Sequence, residues 1–172
     1  MSRPTGQKGA GDEGGSKARG TRPRVARAHE NPARAGAALL VGAGARRQGL
    51  RLRPRPLNPD GSFAEPFGKV GAEVSEEEAY EAARLTALAA LVSLKRALGD
   101  LDRVTAWLRV FGMVNSSPGF DRQPNAINGY SDLILELYGP EVGDHARSAV
   151  GMAGLPLGMP VEVEAEVEIL GG

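Results

Sequence analysis

The chain has 172 residues, no cysteine, two histidines, and 21 basic against 21 acidic side chains. A chain of this length is expected to form one domain, with or without a tail. The absence of cysteine excludes a disulfide scaffold, a thiolate metal site and a thiol nucleophile. No apolar run reaches the length of a membrane-spanning helix, and the N-terminus has no signal-peptide core, so a cytoplasmic protein is expected.

The zero net charge is an average of two unlike parts of the chain. Residues 1–60 hold 13 basic and four acidic side chains, whereas residues 61–172 hold eight and 17, together with all eight aromatic residues. A stretch rich in Arg, Gly, Ala and Pro cannot bury enough apolar surface to offset its ordering entropy. Residues 1–55 are therefore predicted to be disordered, and residues 56–172 to form the domain. The alternative for the basic part is an arm that binds nucleic acid, although it has no aromatic residues for base stacking.

The domain is predicted to begin with a short strand at residues 68–74 and a long helix. Ser75 and the three glutamates after it form a capping box, in which Ser75 is the N-cap and Glu78 reaches back to it. Apolar residues then recur at helical spacing until Gly99, which is predicted to end the helix.

Four more elements follow in the second half of the domain. Residues 103–114 are rich in Val, Trp and Phe, which predicts a central strand. Residues 123–138 are predicted to form a second helix that buries Leu137 among other apolar residues. The small residues at 146–152 and the alternating residues at 160–170 are expected to pair as a two-stranded hairpin.

The last strand alternates strictly between apolar residues and glutamate over residues 161–169. Such a period places five apolar side chains on one face and four glutamates on the other. The apolar face is expected to meet the helices, which gives an α+β fold with two helices packed on one face of a sheet. Because four like charges repel one another, most must be solvated or matched by cations. Whether Arg147 is a cross-strand neighbour of Glu162 or Glu164 depends on the register, which the sequence does not determine.

Several short segments of the domain together resemble a known family. They are Lys-Val-Gly at 69–71, Gly-Asp-Leu-Asp-Arg-Val at 99–104, His-Ala-Arg-Ser-Ala-Val at 145–150, Leu-Pro at 155–156 and Val-Glu-Val-Glu-Ala at 161–165. Over about residues 56–170 the chain resembles the reactive-intermediate deaminase family, also called RidA, YjgF or L-PSP. This resemblance implies a chorismate-mutase-like fold and a homotrimer with clefts between its subunits. It also implies hydrolysis of reactive 2-imino acids, the tautomers of enamines, to 2-keto acids and ammonia, without a metal or organic cofactor.

The resemblance further implies roles for single residues. Arg147 matches the arginine that binds the substrate carboxylate, and a guanidinium takes a carboxylate in two parallel hydrogen bonds. Glu162 matches the glutamate that orients the hydrolytic water and accepts its proton. Ala149 lies where a backbone carbonyl faces the imino nitrogen. Asn128 matches a helix asparagine at the cleft, with Asn125 as the alternative.

Each candidate also has a purely structural interpretation. Arg147 is alternatively an ion-pair partner of Glu162 or Glu164, and Asn128 an ordinary residue of a helix surface. His145 is expected to be a loop residue beside the cleft, at a position where the family usually has proline or alanine. The alternative functions are a trimer that binds small carboxylates without catalysis and a ribonuclease or RNA-binding protein. The net negative charge of the domain argues against the latter, because phosphate binding needs a basic face.

The motifs that form the family's N-terminal hairpin are absent. The family has a Gly-Pro-Tyr-Ser-like segment and a strand that ends in Val-Ser-Gly, whereas this chain has Ala-Leu-Leu-Val at 38–41 and Leu-Arg-Leu-Arg-Pro-Arg-Pro at 50–56. A frameshift is a possible cause, because suitable codons for these segments give Pro-Tyr-Ser and Tyr-Val-Ser-Gly in one shifted frame. The region 1–55 is therefore predicted to be either disordered or out of frame.

Overall fold

The computed structural model describes residues 39–44 and 47–170 of the chain. Its main elements are β1 (Leu39–Gly44), β2 (Arg47–Leu52), α1 (Glu76–Leu98), β3 (Val104–Asn115), α2 (Gln123–Gly143), β4 (Ala146–Met152) and β5 (Val161–Leu170). The strands form one mixed sheet in the order β1-β2-β5-β3-β4, in which only β3 and β4 are parallel. The predicted α+β class, with two helices and one sheet, is confirmed. Neither helix of the described part is long and apolar enough to cross a membrane.

The sheet starts N-terminal to the predicted domain boundary at residue 56. Strand β2 pairs with β5 along its whole length, and Leu50 and Leu52 belong to the core, with 5% and 0% of their surfaces exposed. The boundary is thus corrected, because the strands at residues 39–44 and 47–52 are part of the domain. The prediction for residues 1–38 lies outside the described residues.

Helix α1 begins and ends where its sequence signals predict. The Glu78 backbone N–H donates to Ser75 Oγ at 3.1 Å, and the Ser75 backbone N–H donates to Glu78 Oε2 at 2.8 Å, which completes the capping box. Gly99 follows the last turn with a φ of 78°, a conformation that glycine adopts without a steric penalty. The buried side of α1 consists mostly of alanine, which leaves room for a second helix to approach closely.

Gly129 of α2 lies directly against the backbone of α1. A Cβ atom at this position would be 2.0 Å from the Tyr80 carbonyl oxygen and 3.2 Å from the Arg84 backbone nitrogen. Because the obstacle is backbone, it cannot move aside by changing a rotamer. This close approach determines where the first half of α2 sits, and that half carries Asn128.

Gly129→Ala is therefore expected to lower the free energy of unfolding by about 1–3 kcal/mol, the usual cost of overpacking a core. Denaturant unfolding should be compared with that of Gly154→Ala, because a Cβ atom at Gly154 would have no other atom within 4 Å. Equal unfolding midpoints for the two variants would contradict the close contact of the helices.

Helix α2 is broken at Gly139, directly after the predicted helix of residues 123–138, and one predicted core position is wrong. Gly139 has non-helical angles, with φ 68° and ψ 173°, and a further turn follows it. Leu137 is 56% exposed, whereas Tyr138 packs against the core and its ring lies 5.9 Å from that of Trp107. The aromatic ring beside the break thus takes the place predicted for the leucine.

The predicted hairpin between β4 and β5 is wrong. Strand β3 lies between them and pairs with β4 in parallel and with β5 in antiparallel orientation. Strands that are adjacent in sequence usually pair, but the longest strand of this sheet takes both as neighbours. Arg147 and Glu162 are consequently separated by β3.

The predicted strand at residues 68–74 is also wrong. Val70 forms only isolated bridges, with Val74 and with Ser116. Gly68 and Gly71 have φ values of 136° and 88°, which interrupt an extended strand.

Candidate functional site

The sheet register shows on which face each candidate residue lies. Arg147 aligns with Val110 of β3, which in turn aligns with Ala165 of β5, and both of these neighbours belong to the core beneath the helices. Glu162 aligns with Met113 and alternates with core valines. Arg147 therefore lies on the helix face of the sheet and Glu162 on the opposite face. Within one copy of the chain, the two side chains do not share a cleft.

Helix α2 holds the guanidinium of Arg147 through a single nitrogen. Arg147 Nη1 donates to Asn128 Oδ1 at 2.8 Å and to Ser131 Oγ at 3.2 Å. Asn125, the alternative to Asn128, instead donates to Glu76 Oε1 at 2.7 Å. Asn128 is thus the asparagine that contacts Arg147. Ala149 lies two residues further along β4, on the same face.

The opposite edge of the same guanidinium is open. Arg147 is exposed, and its Nε and Nη2 atoms make no hydrogen bond or ion pair with any described residue. These two atoms offer parallel N–H groups in the geometry that a carboxylate accepts. A guanidinium that is held from behind can bind an anion with little reorganisation.

The structural interpretation of Arg147 as an ion-pair partner of the glutamates is wrong. Arg53 takes that place: its Nε lies 2.9 Å from Glu164 Oε1, and its Nη2 lies 3.6 Å from Glu162 Oε1. Arg51 Nη2 lies 2.5 Å from Glu166 Oε1. The expected repulsion among the glutamates is thus relieved by arginines from the end of β2 and just beyond it.

Glu162 differs from the other glutamates of β5 in its burial. Only 6% of its surface is exposed, although it lies on the helix-free face, whereas Glu164, Glu166 and Glu168 are half-buried. The alternation predicted over residues 161–169 is confirmed, since the five apolar residues of that segment are all buried. A carboxylate with little access to bulk water is suited to hold one water molecule in a defined place.

A chain of hydrogen bonds continues behind Arg147. Ser131 Oγ lies 2.9 Å from His145 Nε2, and His145 Nδ1 lies 2.6 Å from the Gly143 carbonyl oxygen. His145 sits between α2 and β4, two residues before Arg147, as predicted for a loop residue close to the candidate site. Ser131 is not among the residues predicted from the sequence, since its only signal there is its spacing of three residues from Asn128.

A surface depression of about 390 Å³ adjoins Asn128 at the beginnings of the two helices. It is lined by Glu76, Glu77, Tyr80, Glu81, Asn125 and Asn128. Hydrogen bonds from Asn125 and Arg122 keep the pKa of Glu76 below its usual value. The Tyr80 hydroxyl donates to Asp132 Oδ2 at 2.9 Å, which raises the pKa of Tyr80. The three glutamates of its lining make the depression acidic. Among the described residues, no group of three or more His, Asp or Glu side chains could hold a metal ion.

Comparison with protein families agrees with this architecture. Residues 64–165 match the family described as "YjgF/chorismate_mutase-like, putative endoribonuclease". The match covers more than half of the chain and includes both helices, together with Arg147 and Glu162. The chain belongs to this family.

Individual relatives support the assignment. Protein TCP17 of Trypanosoma cruzi is 50% identical over 102 residues, which are 59% of this chain and 64% of that protein, slightly less than two thirds of its length. The crystal structure of Atu1372 from Agrobacterium tumefaciens, described as a protein of unknown function, is 39% identical, with a TM-score of 0.69 over 76% of this chain and 80% of that one. A Shewanella oneidensis protein described as a "putative endoribonuclease" is 30% identical, with a TM-score of 0.68 over 76% and 83%. The resemblance and the YjgF-like fold predicted from the sequence are confirmed.

Proposed function

We propose that the protein is a hydrolase, a deaminase of reactive 2-imino acids and their enamine tautomers, with Arg147 as the group that binds the substrate carboxylate. The observation that carries the proposal is the open Nε–Nη2 edge of an exposed guanidinium that Asn128 and Ser131 hold from behind. The main chain at Ala149, on the same face of β4, is proposed to face the imino nitrogen.

The proposed reaction needs one base and one water molecule. Glu162 accepts a proton as the water oxygen adds to the imine carbon and passes it to the imine nitrogen, so the tetrahedral adduct carries a hydroxyl and an amino group. Transfer of the hydroxyl proton to the amino nitrogen, again through the Glu162 carboxylate, then breaks the C–N bond, forms the keto C=O bond and releases ammonia. The products are one 2-keto acid and one ammonia for each imine and water consumed, and no cofactor is required.

A site that contains both Arg147 and Glu162 requires at least two copies of the chain, because the residues lie on opposite faces of one sheet. The helix-free face offers an apolar surface for such contact, since Phe111 and Val150 are half-buried there and Met152 is 36% exposed. We propose a closed homotrimer with three equivalent clefts, since in a closed ring every subunit covers its helix-free face against another subunit. Light scattering should give three times the chain mass of 18.0 kDa, and a monomer at micromolar concentration would contradict this assembly.

A non-catalytic trimer that binds small carboxylates would use the same arginine, so turnover separates the two functions. The assay measures ammonia and keto acid release from freshly generated 2-iminobutyrate, with and without protein. Acceleration supports the hydrolase, whereas binding of 2-oxobutyrate without acceleration supports the binding protein. If the protein neither accelerates hydrolysis nor binds 2-oxobutyrate, both proposed functions are wrong. An RNA substrate serves as a control, and the acidic surroundings of Asn128 lead us to expect neither RNA binding nor cleavage.

A further inference from the structure

We infer that His145 is a positioning residue, which acts through Ser131 to set the edge that Arg147 presents to its ligand. The inference rests on the proposed role of Arg147 in carboxylate binding and extends it to two residues behind the guanidinium. It concerns how the site is held in place, and it assigns no chemical step to His145 or Ser131.

For a neutral imidazole, the contacts allow one consistent direction of hydrogen bonding. The Gly143 carbonyl oxygen can only accept, so His145 Nδ1 carries a proton and donates it there. Arg147 Nη1 can only donate, so Ser131 Oγ accepts from it. The hydroxyl proton of Ser131 is then available to His145 Nε2, which accepts in a neutral imidazole. Every donor has an acceptor in the order Arg147, Ser131, His145, Gly143.

The far end of this chain of hydrogen bonds is anchored to the backbone. Gly143 is buried, and a Cβ atom there would lie 2.9 Å from the Ile134 carbonyl oxygen, so its backbone is packed tightly against α2 itself. Ser131 is only 7% exposed and His145 is half-buried. Because Gly143 and Ser131 are both buried, neither can shift far, and a displacement of the His145 imidazole should change the position of the Arg147 guanidinium.

The hydrogen bonds also determine which atoms of Arg147 remain for a ligand. Nη1 has two N–H groups, one directed to Asn128 and the other to Ser131. With both occupied, rotation about the Nε–Cζ bond would break two hydrogen bonds. The Nε–Nη2 edge is therefore kept facing outward. Without the contact to Ser131, Nη1 keeps only its hydrogen bond to Asn128, and the guanidinium can rotate about the Nε–Cζ bond.

The same Ser–His contact would also occur in a serine nucleophile activated by a base. Two observations favour the positioning role: Ser131 Oγ accepts a hydrogen bond from Arg147, and its residue is nearly fully buried. A nucleophilic oxygen needs a lone pair and an open approach for the electrophile. Labelling of Ser131 by a serine-reactive fluorophosphonate would overturn the positioning role.

Two substitutions of His145 separate its two hydrogen bonds. His145→Asn keeps a donor near the position of Nδ1 but has no acceptor that reaches Ser131. His145→Gln carries its amide oxygen out to the position of Nε2 and keeps that acceptor. Ser131→Ala removes the relay itself. Ser93→Ala is the matched control, because Ser93 is a half-buried helix serine on α1 whose hydroxyl donates to the Ala89 carbonyl at 2.9 Å.

The first measurement needs no ligand. Nitrogen-15 NMR of the full chain should report His145 with its proton on Nδ1, and slow rotation about the Nε–Cζ bond of Arg147 in the wild type and in Ser93→Ala. Rotation should be faster in Ser131→Ala and His145→Asn and should slow again in His145→Gln. Unchanged rotation in Ser131→Ala would overturn the inference.

The second measurement separates this inference from the proposed function. Calorimetric titration with 2-oxobutyrate should show roughly three- to tenfold weaker binding in Ser131→Ala and in His145→Asn, the effect of one hydrogen bond, in samples that remain folded. The double variant should bind no more weakly than either single variant, because both act along one path. If Arg147→Ala loses binding but Ser131→Ala binds like Ser93→Ala, the positioning role is wrong. If Arg147→Ala binds like the wild type, the proposed function is wrong, whereas the NMR result still tests the contact chain.

Discussion

Arg147→Ala is expected to remove carboxylate binding while leaving the fold intact. Two hydrogen bonds to a charged group contribute roughly 1.5–3 kcal/mol each. Since about 1.4 kcal/mol corresponds to a tenfold change in affinity, the dissociation constant for 2-oxobutyrate should rise about 100-fold or more. The side chain is exposed on the edge strand β4, so its loss should hardly change the unfolding midpoint.

Arg147→Lys should also bind poorly, because an ammonium cannot reproduce two parallel N–H groups. Arg96→Ala is the matched control, since Arg96 is an exposed arginine in the last turn of α1. Loss of binding in both alanine variants would point to a general charge effect. Unfolding of Arg147→Ala would identify Arg147 as a structural residue and contradict the site assignment.

The features that the sequence predicts well are those determined by neighbours along the chain. The capping box of Ser75 and Glu78 involves residues three positions apart, and the α-helical geometry alone brings them together. The alternation of β5 is likewise a property of one extended strand. In both cases the local pattern is sufficient, whatever the rest of the fold does.

The order of the strands is not determined in this way. The turn at residues 156–158 is as compatible with a hairpin as with a crossing over β3, so the turn itself does not determine which strand becomes the neighbour of β5. Because β3 lies between β4 and β5, Arg147 is removed from the glutamates and placed beneath α2. The contact with Asn128 then follows from tertiary packing, which no local pattern encodes.

Strand β2 is not predicted from the sequence, because the composition of residues 1–55 taken as a whole indicates disorder. Residues 1–55 are predicted to be disordered because Arg, Gly, Ala and Pro dominate them, yet residues 50–53 alternate between leucine and arginine. In the sheet the leucines are buried, whereas Arg51 and Arg53 contact glutamates of β5. A period of two over four residues was a usable signal, and its charges complement those of the strand it joins.

The alternative that this segment is out of frame stays a prediction. The sheet shows which contacts the family motif would change. A Val-Ser-Gly sequence in place of residues 51–53 would remove both cations that contact Glu164 and Glu166. The segment as written supplies buried leucines and matched charges in register. The nucleotide sequence tests the alternative directly, since codons that do not give the family motifs in the shifted frame rule it out.

Glu162→Gln is expected to lower turnover of 2-iminobutyrate by roughly 10²–10⁴-fold, the usual contribution of a general base. Glutamine keeps the size and the hydrogen-bonding shape of the side chain but cannot accept the proton of the attacking water. The side chain lies on the helix-free face, and its Arg53 partner keeps the closer contact with Glu164, so the unfolding midpoint should change little.

Binding of 2-oxobutyrate should be unchanged or slightly stronger in Glu162→Gln, because the proposed carboxylate contact is that of Arg147 and the substitution removes one like charge from the proposed cleft. Glu168→Gln is the matched control: Glu168 is on the same strand and the same face, where it accepts a hydrogen bond from Thr105 Oγ1 at 2.7 Å. Turnover that falls only in Glu162→Gln identifies Glu162 as the base. Equal effects would mean that Glu162 is one more charged residue on the helix-free face of the sheet. In a protein that only binds carboxylates, neither substitution has turnover to remove.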